Sequence, residues 1–355
     1  MNTKFFLRTS LVSVLLVAGF DTFAVGTKDN PCSSSNLNNC FDGVSGAVTG
    51  FDAVRVALPS IKIETSSDED GEQAGLFTTR RGLSAGSSTG HYNVWASATY
   101  SEFESTFVIG SYEAERTGLL VGVDRMIGTR SVLGVAVGYE DMSSTTYYNG
   151  GGDDEDGFSI IPYYGVALTD TLTFDMSVGY TWLDHKQNRT FNDGLTGNLL
   201  TASYDASRTF GEINLTNSYT HDKLTMTANI GISHGEENHD GYTESGGTGA
   251  RTVRDRNITI TQAELGFGVF HTNNNITPYA NLAFRKDLDS DEDAPAGGLP
   301  GGVIAHSNDD TEIEFILGAD ISTNENIDVS FAFNKLFSRD DFDKWGLDLS
   351  LRMPL

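Results

Sequence analysis

Beyond its first 25 residues, this 355-residue chain has no long apolar run. No later stretch approaches the roughly 20 apolar residues a membrane helix needs, so a helical membrane protein is excluded. Positive charge is also scarce. The 23 Lys and Arg stand against 49 Asp and Glu, for a formal net charge of -26. A phosphate backbone would be repelled by that excess, so nucleic acid is not an expected partner. Proline is rare at 7 residues and cysteine rarer at 2. The cysteines, Cys32 and Cys40 in "CSSSNLNNC", have no third Cys or His beside them to complete a metal site. In an exported chain the pair predicts a small disulfide loop. What is abundant is glycine, at 39 residues, with 10% aromatics, and that composition suits many strands better than many helices.

The N-terminus reads as an address. Lys4 and Arg8 precede the apolar stretch Leu11 to Phe20, and "TFA" puts Thr22 and Ala24 at the positions a signal peptidase reads. Residues 1–24 are therefore expected to be a signal peptide. A short extension, 25–65, follows. Residues 66–90, acidic in "DEDGEQAG" and then Gly/Ser-rich in "RRGLSAGSSTG", read as a linker.

From residue 91 to 355 the character changes. "TLTFDMSVGYTW" at 171–182 alternates without a fault, with Leu172, Phe174, Met176, Val178, Tyr180 and Trp182 on one face. Such alternation recurs often enough to predict twelve strands, joined in turn by short turns ("GTR", "TD", "HDK", "TNNN", "TNEN") and longer polar loops. That asymmetry is the pattern of an outer-membrane barrel, with both ends of the sheet on the short-turn side. A stripe of twelve residues at about 3.3 Å each, tilted about 45°, spans roughly 28 Å of bilayer. Tyr180, Trp182 and Trp345 are then expected at the membrane–water interface. The opposite face carries Asp124, Glu140, Asp175, Glu314, Asp320, Asp328 and Asp348, which are expected to face the pore. Within 202–219, Ile213 and Leu215 are out of phase with Tyr204 and Phe210, which predicts a bulge.

Residues 91–355 resemble the autotransporter β-domain of bacterial outer membranes. The resemblance lies in "NVWASATYSEF", "RTGLLVGVDRMIGTRSVLGVAVGYE", "DGFSIIPYYGVAL", "FDMSVGYTWLD" and "WGLDLSLRMPL". It implies a twelve-stranded, monomeric barrel placed in the outer membrane by the barrel-assembly machinery and periplasmic chaperones. It also implies an N-terminal passenger brought to the cell surface and a helix in the pore ahead of the first strand.

The residues offer little enzyme chemistry. Asp184 and His185, with His234 and His239, fall on the external side, where a rim protease would need facing acids and histidines, but polar rims are common. "GLSAG" lacks the nucleophile-elbow register. "DLDSDEDA" supplies Asp287, Asp289 and Asp291 in calcium-loop spacing but has Glu292 where glycine is needed. It reads with "GGDDEDG" (151–157) as solvated acidic loop. The expectation is a non-enzyme with no catalytic, cofactor or metal residues. Its inward carboxylates are expected to pair with Arg125, Arg208, or Arg80 and Arg81 from the linker. The alternatives are a plugged, cation-favouring channel and a surface adhesin acting through acidic loops.

Overall fold

The structure, a computed structural model, describes residues 64–67, 74–78, 83–84 and 92–355, apart from 107–110, 129, 148–149, 193–196, 274, 293–308 and 324–326. Cys32, Cys40, Arg80, Arg81 and the signal segment lie outside them. Three short strands come first: β1 (Glu64–Ser67), β2 (Ala74–Thr78) and β3 (Leu83–Ser84). Seven long strands follow: β4 (Tyr92–Ser105), β5 (Tyr112–Ile127), β6 (Ser131–Thr146), β7 (Gly151–Ala167), β8 (Leu172–Asn192), β9 (Gly197–His221) and β10 (Leu224–His239). A small hairpin of β11 (Tyr242–Thr243) and β12 (Thr252–Val253) interrupts them. The chain ends with β13 (Arg256–His271), β14 (Ile276–Glu292), β15 (Thr311–Ser322), β16 (Asp328–Phe337) and β17 (Phe342–Pro354).

The twelve long strands form one closed antiparallel barrel in chain order, sealed where β17 pairs with β4 from Phe342↔Ser105 to Pro354↔Asn93. Among the described residues no helix is long and apolar enough to cross a membrane; the strands do the crossing. Closure is what lipid demands, since every backbone N–H and C=O in the hydrocarbon must be paired within the protein.

The two faces settle which way the wall is turned. Val121, Val137, Phe158, Val178, Ile230 and Phe331 all point outward and are exposed, whereas Asp175 and Thr173 on the other face of β8 are 0% exposed. A barrel in water would hide the first set. This one displays it, as a lipid-facing wall requires. Tyr180 and Trp182 lie on that outer face, Trp182 at 50% exposure, with ring centroids 4.8 Å apart. Trp345 is half-buried and packs on Tyr100 at 5.5 Å.

The inner face is filled rather than hollow near the short-turn end. Trp95, Ala136, Ile161, Tyr163 and Phe210 form one cluster. Its aromatic rings fit because glycines lie beneath them. A Cβ on Gly122 would sit 2.3 Å from the Trp95 ring, and one on Gly134 2.2 Å from the Tyr163 ring. Gly122 of "GLLVGVD" and Gly134 of "VLGVAVGY" are thus seats for inward aromatics. Gly134→Ala is expected to lower the unfolding free energy by about 1–3 kcal/mol through overpacking. A lower temperature for loss of the compact form on SDS gels would report it.

Three expectations need correction. Much of what reads as external loop is paired strand: "GGDDEDG" belongs to β7, residues 184–192 to β8, and Asp287 to Glu292 to β14. Above the bilayer the outer face turns polar, so the apolar signal stops while the backbone ladder continues. Strand β9 has no bulge, because its register with β8 and β10 is unbroken from Ala206 through Leu215. Tyr204 and Phe210 simply face inward, Phe210 over Gly179. The register shift lies instead in the β13–β14 pair, at Thr261/Gln262. Finally, the described parts of the linker form strands where a pore helix was expected.

Strands β1, β2 and β3 make a separate antiparallel sheet. Strand β1 lies against β8 and β9, and β3 lies against β17. In the closed order β9 and β17 are six steps apart either way round. They are opposite walls, so this sheet crosses the cylinder, within its bore or over its mouth.

Candidate functional site

The densest polar chemistry lines the inner wall beyond the apolar stripe, where β6 to β10 stand above the membrane. Alternation carries it there. In β7, Asp153 and Glu155 share inward parity with Gly157, Ser159 and Ile161, while Asp154 and Asp156 point outward. Strand β8 turns His185, Gln187 and Arg189 inward, and Asp184 and Lys186 outward. Strand β9 contributes Tyr204 and Arg208, and β10 contributes Glu237 and His239. His234 faces out, beside Thr261.

Arg208 is the hub. Its guanidinium donates to Glu237 (2.6 Å), Glu140 (2.6 Å) and Glu155 (3.0 Å), and all four side chains are buried. Arg116 adds a second cation on Glu140. Above the hub His185 is held by Asp153, with Nδ1 2.9 Å from Oδ2. Its ring stacks on Tyr204 at 4.7 Å and lies 4.9 Å from His239. Tyr242 continues the stack at 4.6 Å from Tyr204. His239 donates from Nε2 to Glu237 (2.5 Å), while its Nδ1 accepts from Arg256 (3.0 Å).

The environment separates the two histidines. Burial alone would lower His185, but Asp153, by charge and hydrogen bond, with Glu155 and Glu237 behind it, raises it to about 9. Burial lowers His239, the Arg256 charge lowers it further, and it falls to about 4 despite Glu237. Burial pushes Glu155 up; Arg208 and His185 pull it back, Glu237 and Glu140 push it on, and it settles at about 7. At neutral pH His185 is a cation and His239 is neutral.

A second network occupies the opposite wall. Arg285 bonds Glu264 and Glu312, both at 2.9 Å, and Glu314. Arg339 reaches Asp287 at 2.8 Å. Toward the short-turn end Asp124 meets Arg352, Asn93 (3.0 Å) and Tyr163 (2.8 Å), and Tyr163 accepts from Trp95 (2.7 Å). Asp175 accepts from Asn214 at 2.9 Å, Asp348 from Asn334 at 2.9 Å, and Asp320 from Ser330. Asp328 is half-buried, across the ladder from Arg352. Arg125, expected as an inward partner, instead points outward over the Tyr92 ring at 5.4 Å. The parity of Asp124 gives the reason: its sequence neighbour must face the other way.

A closed twelve-strand wall with its first and last strands paired, a polar packed lumen and a lipid-facing apolar band is now in place. The sequence profile described as Autotransporter beta-domain matches residues 94–334. The chain belongs to that family. Outer membrane protein B of Rickettsia japonica is 26% identical over 206 residues, an alignment covering 53% of this chain and 12% of the relative. The translocator domain of the autotransporter NalP from Neisseria meningitidis superposes with a TM-score of 0.64 at 11% identity, covering 74% of this chain and 88% of that one. The β-domain of the Bordetella autotransporter BrkA gives 0.58 at 16% identity, over 75% of this chain and 100% of that one. This autotransporter barrel is therefore a protein of the bacterial outer membrane. Its short turns face the periplasm, and the cluster around Arg208 lines its external mouth.

Sequence alone singles out Glu140, His185, Arg208 and His239 separately and does not mark Asp153, Glu155, Glu237 or Tyr204 as their partners. Unbroken parity through "GGDDEDG" was the available signal. The β7–β8 register sets Glu155 across from His185 and Asp153 across from Gln187.

Proposed function

We propose that this autotransporter barrel brings residues 25–63 to the outer face and then serves as their membrane anchor, without chemistry of its own in that task. The supporting observation is the β1–β3 sheet. It joins opposite walls, β9 and β17, immediately ahead of the first barrel strand. A segment that crosses the cylinder just before β4 is suitably placed to link a chain outside with a wall in the membrane. The buried arginine–carboxylate networks suit an anchor, since they tie the wall strands together across the lumen. Insertion by the barrel-assembly machinery, delivery by periplasmic chaperones, a monomeric barrel and a Cys32–Cys40 loop in the passenger belong to the same proposal.

Protease shaving of intact cells tests it, with one antibody against residues 27–45 and another against the barrel. The N-terminal signal is expected to vanish while the barrel signal remains. Survival of the N-terminal signal until the outer membrane is permeabilised would place the segment in the periplasm or the bore, and export would be wrong.

A further inference from the structure

We infer that the external mouth of the barrel holds a transition-metal ion of the zinc class, ligated by His185, His239 and Glu237 with Glu155 beside them. One donor atom from each of His185, Glu237 and His239 lies within 4.8 Å of the others, and all three residues are buried. Two imidazoles with carboxylates form a donor set suited to zinc and its neighbours rather than to calcium or magnesium.

The hydrogen-bond pattern points independently to a ligand. His185 Nε2 and Glu155 Oε2 are buried, and neither makes a hydrogen bond. They face each other at 3.9 Å, too far for a hydrogen bond and suitable for two donors flanking one ion. The other nitrogen of His185 is already fixed by Asp153 at 2.9 Å. A carboxylate on Nδ1 with Nε2 left over is the usual support of a metal-bound histidine. His239 requires one change. Its Nε2 now carries the proton given to Glu237, because Arg256 occupies Nδ1. To ligate through Nε2, His239 must move that proton to Nδ1 and Arg256 must withdraw. Arg256 is thus the competitor of the metal.

The three ligands lie on β8 and β10, with Glu155 beside them on β7, so one ion would fasten β8 to β10 across β9 at the mouth.

The test uses the untagged full chain, refolded in detergent, stripped with EDTA and titrated with Zn2+ alone. One zinc per barrel is expected, with a higher unfolding temperature when it is bound. Asp153→Asn, a positioning change, is expected to weaken binding about 10–100-fold. Arg256→Gln, which offers Nδ1 an acceptor, is expected to tighten it, and His234→Ala on the outer face is expected to leave it unchanged. Zinc-edge X-ray absorption on the unaltered protein needs no variant and is expected to show two imidazole nitrogens. Absence of stoichiometric binding, an all-oxygen coordination sphere, affinity indifferent to Asp153→Asn, or weaker binding in Arg256→Gln would each overturn the assignment.

Discussion

Replacing Arg208 with methionine is expected to cost the barrel about 3–5 kcal/mol of unfolding free energy. The guanidinium is 1% exposed and supplies a charge-assisted bond to each of Glu140, Glu155 and Glu237. Without it three buried carboxyl groups converge and, among the described residues, Arg116 on Glu140 is the guanidinium that remains beside them. The loss arises from stranding those charges, more than from the gross strength of the bonds. A second variant distinguishes the two accounts. Arg208→Met combined with Glu155→Gln and Glu237→Gln, with Glu140 left to Arg116, removes the stranded charge as well and is expected to recover a large part of the loss. Urea unfolding followed by tryptophan fluorescence measures both. If the combined variant is no more stable than the single one, the stranded-charge account fails.

Val135→Arg is expected to cost about 2–4 kcal/mol, whereas Ser143→Arg, on the same outer face of the same strand, is expected to cost about 0–1 kcal/mol. Val135 lies between Leu133 and Val137 in the outward stripe and is 42% exposed. Its surroundings are hydrocarbon, and a guanidinium there must snorkel or draw in water. Ser143 lies past Tyr139, above the stripe, where its hydroxyl already donates to Asp154 at 2.8 Å. An arginine at 143 therefore meets water and a carboxylate. Unfolding from lipid vesicles checks both variants. Equal costs at the two positions would mean that the lipid boundary does not fall between them.

Wherever lipid touched the wall, the sequence was legible. Leu119, Val121 and Val123, or Val135 and Val137, had to be apolar because the bilayer accepts nothing else, so alternation was strict and the strand count followed from it. Above the bilayer that constraint disappears. Asp153 and Asp154 differ little as letters, yet one is buried against His185 and the other faces water. Only the continued parity of β7 tells them apart. Inward aromatics misled for a related reason. Phe210 suggested a slip in β9 because large apolar residues elsewhere face lipid, and its place over Gly179 depends on a neighbouring strand. The partners of His185 and Arg208 come from strands far away in sequence. Finding them requires the register, which the short turns alone do not fix above the membrane.

The seam between β4 and β17 also sets a clock. The ribosome delivers β4 first among the wall strands and β17 last, yet the two are ladder partners, and the amide of Leu355 itself donates to the Tyr92 carbonyl at 2.7 Å. Until the final strand is made, the wall has two raw edges whose polar backbone cannot enter hydrocarbon unaided. Membrane entry as a closed wall must therefore wait until β17 has been made. The closing ladder doubles as proof that translation has passed β17.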